Sequence, residues 1–291
     1  MIYLILAMLL FSFNNVLWKK NLLNISVSLL MTYRSFFTSI LAISFLFYFH
    51  DLTEFSFIQI FRTLTTAVLG LVGLFSMLTL YKKASLQWAA IYNLLGIIFT
   101  TLYLWIFKEF DIKSSFLGIF IITIGFIFYI YTKKKSTLKI NLKQHLLLVL
   151  MTLCFGTAAI LNWENLNQKI PVILIIANQE VLVFICGIVL LFLQRRRRRR
   201  RRNSSIQLLS IFQKYFYRVL LMSIVILLGL FFSFLGLEIT NPIISGVLFL
   251  ASPLTTILFS AYFFKEKIKV TDWIAIGVIS FGAFLLHLQT T

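Results

Sequence analysis

Two ionisable side chains lie well inside apolar stretches of this 291-residue chain. Arg34 falls in a stretch from about residue 27 to 49, and Glu180 in one from about 171 to 193. An ionisable group at bilayer depth costs about 2.5 to 3.5 kcal/mol on insertion scales, so each is a candidate for function. One interpretation gives Glu180 a proton or a cationic substrate, and Arg34 an anionic substrate group. The other is a fixed ion pair that locks two parts of the chain together, and the sequence leaves both open.

Uncharged polar side chains at similar depth are the next candidates for substrate binding. They are Asn14, Tyr92, Asn93 and Asn178. Hydrogen bonds between helices explain such residues as simply, so a substrate role and a packing role are both open. Asn178 and Gln179 directly precede Glu180, and neighbouring helical residues point in different directions. The three therefore cannot all line one cavity.

Patterns for catalysis or metal binding are missing from the sequence. The histidines at positions 50, 145 and 287 are scattered at the ends of apolar stretches and lack metal-ligand spacing. No glycine-rich phosphate loop is present, so ATP-driven work by this chain is not expected. We therefore expect no enzyme activity, no catalytic residue, no metal and no cofactor.

The elements that must position these side chains are membrane-spanning helices. Hydrophobic residues make up 60% of the chain and the mean hydropathy is +0.96, which excludes an ordinary soluble domain. Ten stretches can supply the roughly 20 apolar residues that a spanning helix needs, and the alternation of a β-barrel is absent. The predicted fold is an all-α polytopic membrane protein with ten transmembrane helices. They lie at about 2–18, 27–49, 58–81, 85–107, 114–132, 145–162, 171–193, 216–238, 243–264 and 271–289.

An internal repeat divides the chain in two. Phe107-Lys108-Glu109 returns as Phe264-Lys265-Glu266, and the same offset pairs Phe75 with Phe232 and Gly125 with Gly282. We predict one five-helix repeat over residues 1–135 and a second over 144–289. Because five is odd, the second repeat enters the membrane with the opposite orientation. Such inverted repeats are typical of secondary transporters, which bind substrate near the midplane between the repeats.

The charge pattern predicts topology rather than a nucleic-acid partner. The formal net charge is +18, and eight of the positive charges form one arginine run at 195–202, inside a basic loop at 194–215. Most of the other basic residues lie in short loops between helices. Lys and Arg concentrate in the odd-numbered loops, which the positive-inside rule assigns to the cytoplasm, with both termini outside. Two roles are open for the arginine run: it only fixes this topology, or it also binds anionic lipid headgroups. Trp18, near the end of the first span, is interpreted as an interfacial anchor.

Several short motifs resemble those of the EamA-type transporters in the drug/metabolite transporter superfamily. Glu109 and Glu266 end apolar helices, and each is followed by a helix that bears a glycine, Gly125 or Gly282. Ser252-Pro253-Leu254 is similar to a Ser-Pro-Leu motif in the ninth helix of that family. The corresponding position in the fourth helix is Gly96 rather than proline. Glu109, Glu266, Gly125, Gly282 and Pro253 are interpreted as structural.

The resemblance implies a secondary transporter that moves a small metabolite or drug-like solute across the cytoplasmic (inner) membrane by alternating access. Export, with proton coupling, is what the family suggests, whereas transport by exchange or facilitated diffusion fits the residues equally well. It also implies cytoplasmic termini, the opposite of the charge rule. The alternative is a membrane scaffold or lipid-handling protein whose arginine run engages anionic lipid. Expected partners are a small-molecule substrate and membrane lipid.

Overall fold

The structure is a computed structural model that describes residues 2–50, 55–83, 86–108, 116–134, 141–198, 205–249, 251–265 and 268–290. Within these ranges every regular element is an α-helix. The helices are α1 (Ile2–Leu22), α2 (Val27–Phe49), α3 (Phe57–Lys83), α4 (Leu86–Lys108), α5 (Phe116–Lys134), α6 (Leu142–Asn167), α7 (Val172–Arg198), α8 (Ser205–Glu238), α9 (Pro242–Phe249), α10 (Ala251–Phe264) and α11 (Val270–Thr290). α9 and α10 together cover the ninth predicted span, on either side of Leu250, which lies outside the described residues.

Local signals in the sequence set the ends of the helices that carry the two intramembrane charges. Ser26 caps α2, because its hydroxyl accepts a hydrogen bond from the Leu29 N–H at 3.4 Å. At the end of α6, Lys169 adopts a left-handed conformation with φ of 61°, and Pro171 directly precedes α7. Arg34 and Glu180 consequently fall about two turns into α2 and α7.

The helices form one layered bundle in which α2 and α7 are central. α2 packs on α7 and on α8, and α7 packs on α3. Farther out, α3 packs on α6, α1 on α8, and α5 on α11. One buried apolar cluster joins the helix ends near the odd-numbered loops, with Trp18, Leu30, Leu80, Met151 and Met222 among its members. A second joins ends of α2, α6, α7 and α8 near the even-numbered loops, with Leu46, Leu166, Ile173, Ile176 and Leu237 among its members.

Length and composition fit a membrane location. In the described part of the chain, six helices are long and apolar enough to cross a bilayer: Ile2–Leu22, Val27–Phe49, Phe57–Tyr81, Leu142–Asn167, Val172–Leu193 and Gln213–Glu238. Shorter apolar helical stretches occur at Leu95–Phe107, Phe116–Gly125 and Val270–Gly282. Many large apolar side chains on the outside are exposed, as lipid-facing positions require. The chain is therefore an all-helical polytopic membrane protein.

Two helices extend farther into the basic segment than the sequence predicts. α7 continues to Arg198 and α8 begins at Ser205, although the sequence indicated a loop over 194–215. Arginine and glutamine are good helix formers, and the hydrogen bonding of a helix does not stop where the apolar residues stop. Residues 199–204 lie outside the described part of the chain. So do residues 136–140 of the predicted junction between the repeats, whereas its last residues hold the Asn141 cap and the start of α6.

Candidate functional site

The centre of the candidate site is an ion pair between α2 and α7. Nη1 of Arg34 donates a hydrogen bond to Oε2 of Glu180. Each residue is only 1% exposed. The contact that the sequence allowed between these two side chains is present, and it joins the first half of the chain to the second.

Two further helices hold Arg34 in place. On one side, the guanidinium carbon lies 5.5 Å from the ring centroid of Trp18 in α1, a cation–π distance. On the other, the Ser223 hydroxyl of α8 donates a hydrogen bond of 2.9 Å to the Arg34 carbonyl. Nε of Arg34 has no hydrogen-bond partner among the described residues. Four helices thus meet at this one charged residue.

Trp18 corrects one interpretation from the sequence. A tryptophan near a span end is usually an interfacial anchor, but Trp18 is 1% exposed and belongs to the buried apolar cluster. It cannot contact lipid headgroups from there. Its distance from Arg34 shows instead that it covers the guanidinium with an aromatic face. Sequence position along a helix does not reveal the direction of a side chain, which is why this partner was missed.

The buried pair imposes a large electrostatic constraint. Each of two opposite charges buried away from water stabilises the other, and removal of one partner typically lowers the stability of the protein by about 3–5 kcal/mol. A proton on Glu180, or a substrate charge, would be an alternative partner for one member of the pair. The arrangement can therefore act either as a lock between helices or as an exchange site.

The two residues before Glu180 face a different helix. Nδ2 of Asn178 donates to the Thr63 hydroxyl of α3 at 2.6 Å. A Cβ added at Gly70 of α3 would lie 3.6 Å from Nε2 of Gln179. Asn178 therefore joins α7 to α3, whereas Glu180 joins α7 to α2. The structure does not bring Asn178 and Arg34 together.

Tyr92 links α4 to α6. Its hydroxyl lies 2.6 Å from Nδ1 of His145, and its carbonyl accepts a hydrogen bond of 2.8 Å from the Thr152 hydroxyl. Tyr92 is 6% exposed. The side chain of Asn93, also in α4, lies outside the part of the chain whose side chains are described.

We expect Tyr92→Phe to weaken the packing of α4 on α6 without unfolding the protein. The variant keeps the ring and removes one hydrogen bond, which is worth about 1 kcal/mol. Thermal unfolding in detergent micelles would measure the loss. Thr157→Val is the control, because among the described residues the Thr157 hydroxyl bonds only within α6, to the Leu153 carbonyl at 2.9 Å. Equal midpoints for Tyr92→Phe and the wild type would contradict the prediction.

Asn14 lies on a different face of α1 from the polar contact that Ser12 makes with α10. Asn14 is 2% exposed, and its Oδ1 has no hydrogen-bond partner among the described residues. The polar contact is made by Ser12, whose hydroxyl lies 3.1 Å from the Ser252 hydroxyl and 2.5 Å from that of Thr255 in α10. Pro253 follows Ser252 in α10, and its side chain is outside the described set.

The glycine motif marks a close helix crossing. A Cβ added at Gly125 of α5 would lie 2.8 Å from Cγ1 of Ile279 and 3.3 Å from the Ile279 nitrogen in α11. Gly282, its counterpart in the repeat, is buried in α11. The other motif residues, Glu109 and Glu266, lie outside the described residues.

Gly125→Ala is expected to lower stability by about 1 kcal/mol net. Overpacking a tight contact costs about 1–3 kcal/mol, and the better helix propensity of alanine returns about 1 kcal/mol. The matched control is Gly277→Ala in α11, the helix that Gly125 contacts, because a Cβ added at Gly277 meets nothing within 4 Å. Thermal midpoints in micelles should fall for the first variant and stay or rise for the second. The reverse order would refute the close crossing.

Together, the helical fold and the buried charge pair define a class: polytopic membrane proteins that keep ionisable groups at bilayer depth, where they mark solute pathways or lock helices. Within that class, the chain belongs to the EamA-like transporter family, whose model matches residues 142–288. This confirms the resemblance found in the sequence and makes the protein a transporter of the drug/metabolite transporter superfamily.

Other comparisons bear on the fold alone. No curated protein matches the chain. A solved structure, described only as the crystal structure of a protein, is similar to it with a TM-score of 0.65. That similarity covers 97% of each chain at 13% sequence identity. At this identity the match extends the fold assignment over nearly the whole length and carries no information on substrate.

Proposed function

We propose that the protein is a secondary transporter that moves a small metabolite or drug-like solute by alternating access. In this proposal it acts as an exporter and couples export to protons. Membership of the EamA-like transporter family supports transport of a small molecule. The observation that carries the mechanism is the buried Arg34–Glu180 pair, because it lies where the two halves of the chain meet.

The proposed architecture is a ten-helix bundle of two inverted repeats, 1–135 and 144–289. Helix packing supports it. In this architecture α1, α2, α3 and α5 correspond to α6, α7, α8 and α11, and α4 corresponds to α9 and α10 together. Exchange of the two repeats then turns the packing of α1 on α8 into that of α6 on α3, and both contacts exist. The same exchange maps the pair α2 and α7 onto itself, and likewise the pair α5 and α11. Self-paired helices are expected on the axis that relates two repeats, and the charge pair lies on one such pair.

Within this mechanism, Glu180 is the proton or cation site and Arg34 its resting partner. In the observed arrangement each charge satisfies the other. Protonation of Glu180, or arrival of a substrate charge, would release the constraint between α2 and α7 and allow the halves to move. The polar residues Asn14, Tyr92, Asn93 and Asn178 are proposed as further contacts along the substrate path.

The proposed location is the cytoplasmic (inner) membrane, with the odd-numbered loops in the cytoplasm. The concentration of Lys and Arg in those loops supports it. Labelling of single cysteines in intact cells tests it, for example at Lys143 near the odd-loop end of α6 and at Gln168 near its other end. Labelling at position 168 alone supports the proposal. Labelling at 143 alone would invert the topology and give the cytoplasmic termini that the family suggests.

Solute flux in liposomes tests the function. Wild-type protein would be screened with amino acids, nucleobases and cationic dyes under an imposed pH gradient. We expect one solute class to move in a gradient-dependent way. No flux from a folded preparation, combined with loss of lipid association on deletion of residues 195–202, would favour the lipid-handling alternative instead.

A further inference from the structure

A cleft between α3 and α6 lies away from the buried charge pair. Its volume is about 230 Å³. Its lining residues belong to the start of α3 and the end of α6, which are the ends of these helices next to even-numbered loops. The lining residues are Phe61, Arg62, Thr65, Thr66, Leu161, Glu164, Asn165 and Gln168. The cleft thus combines one guanidinium, one carboxylate, two amides and two hydroxyls with two apolar side chains.

One part of the cleft is built to accept an anionic oxygen group. The guanidinium of Arg62 supplies charged donors. Asn165 is 4% exposed, and its Nδ2 has no hydrogen-bond partner among the described residues. A buried amide donor without an acceptor is unfavourable, so an oxygen ligand beside Asn165 would satisfy it. Phosphate and carboxylate oxygens accept hydrogen bonds from both kinds of donor.

Another part of the cleft favours a cation. Glu164 contributes a carboxylate to the lining. The lining also includes the side-chain amide of Gln168, whose oxygen can accept a hydrogen bond. The Thr65 and Thr66 hydroxyls donate to the Phe61 and Thr63 carbonyls at 3.0 and 2.8 Å, which leaves their lone pairs as acceptors. An ammonium group can donate to these oxygens.

We propose that this cleft binds a zwitterionic group, with the anionic oxygens at Arg62 and Asn165 and the ammonium at Glu164. Two sources carry that chemistry: the ethanolamine headgroup of a phospholipid, and a free zwitterionic solute. Exposed Leu64 and Val68 lie deeper in α3 than Arg62, where acyl chains that run from a bound headgroup toward the bilayer centre would contact them. The solute source rests on the proposed transport function, whereas the lipid source does not.

Direct binding tests the proposal without any flux measurement, so its failure is distinct from failure of the proposed function. Native mass spectrometry of detergent-purified protein would count retained phosphatidylethanolamine and phosphatidylglycerol. Thermal shift with free phosphoethanolamine, against glycerol phosphate, would test the soluble source. We expect a preference for the ethanolamine form in at least one arm. A preference confined to the lipid assigns the site to headgroups, and one confined to the free compound assigns it to solutes.

Variants separate the two parts of the cleft. Arg62→Gln should weaken binding of both the ethanolamine and the glycerol form roughly tenfold, the effect of losing one charge-assisted hydrogen bond. Glu164→Gln should remove the preference for ethanolamine while binding of the anionic group persists. Lys143→Gln, which removes an exposed basic residue at the opposite end of α6, is the control and should bind as the wild type does.

Three results would overturn the proposal. They are no preference for the ethanolamine form in either arm, unchanged binding in Arg62→Gln, and an unchanged preference in Glu164→Gln. Asn165→Ala adds a check on the buried donor and should weaken binding of both forms. Each variant is compared at equal amounts of folded protein from the wild-type peak in size-exclusion chromatography, so that misfolding is not mistaken for loss of the site.

Discussion

Glu180→Gln is expected to abolish the pH dependence of solute flux and to destabilise the protein. The substitution leaves the Arg34 guanidinium 1% exposed without its carboxylate. Breaking a buried pair in this way costs about 3–5 kcal/mol, and the glutamine amide oxygen, which can still accept a hydrogen bond, should keep the loss near the lower value. Flux in liposomes at two pH values and thermal unfolding in micelles measure the two effects.

A double variant separates a coupling role from a locking role. Arg34→Met with Glu180→Leu removes both charges and keeps similar side-chain volumes, and replacement of a buried pair by apolar residues is often neutral or stabilising. We expect the double variant to recover stability but not flux. Recovery of flux along with stability would mean that the pair is only a lock. Glu238→Gln, at an exposed glutamate that ends α8, should change neither quantity.

The sequence singles out Arg34 and Glu180 because the physics of the bilayer makes intramembrane charges rare, and it leaves their pairing as one of two interpretations. Once the chain is known to be membrane-spanning, Arg34 and Glu180 stand out by type and depth alone, and opposite charges at depth attract. The family assignment was also accessible from short motifs, and the match to the EamA-like model confirms it. What the sequence could not supply was rotation about each helix axis.

The residues that sequence analysis missed are those whose contacts depend on how each helix is rotated about its axis. Trp18 has the position of an interfacial anchor but the direction of a core residue, since α1 turns its face toward Arg34. Arg62 and Glu164 lie near span ends, where charged residues usually serve topology or solubility. Only the packing of α3 on α6 brings them to one cleft. The signal available in advance was that each is an isolated charge within about two turns of a span end.

Helix ends were also hard to predict, for a related reason. Hydropathy reports where a helix leaves the apolar layer, whereas backbone hydrogen bonding determines where the helix stops. α8 therefore begins at Ser205, well before the apolar run that predicted a start near 216. Where a strong capping signal exists, as for the Asn141 capping box of α6 with Gln144, the end could be derived from the sequence.

Gly187→Leu is expected to produce the largest loss of folded protein among the glycine substitutions at helix crossings. Gly187 lies in α7 about two turns from Glu180. A Cβ added there would lie 2.5 Å from Oγ1 and 3.1 Å from Cα of Thr32 in α2. A side chain can rotate away, but the α2 backbone can respond only if the helices separate. Separation would also pull Arg34 from Glu180, so the cost of overpacking adds to the cost of breaking the pair.

For Gly187→Ala alone we expect a loss of about 1–3 kcal/mol, and for the leucine variant a loss above about 3 kcal/mol, since the broken pair adds its own cost. Gly70→Ala is the matched control, because Gly70 also packs against α7, through Gln179, but at an ordinary 3.6 Å. Thr32→Ala in the Gly187→Ala background should restore only part of the stability, since it removes the crowding hydroxyl while the α2 backbone stays equally close. Thermal midpoints and the yield of folded protein in micelles are measured for all four variants. If Gly187→Leu proved as stable as the wild type, α2 and α7 would not cross this closely. The contact between Arg34 and Glu180, which depends on that crossing, would then be contradicted as well.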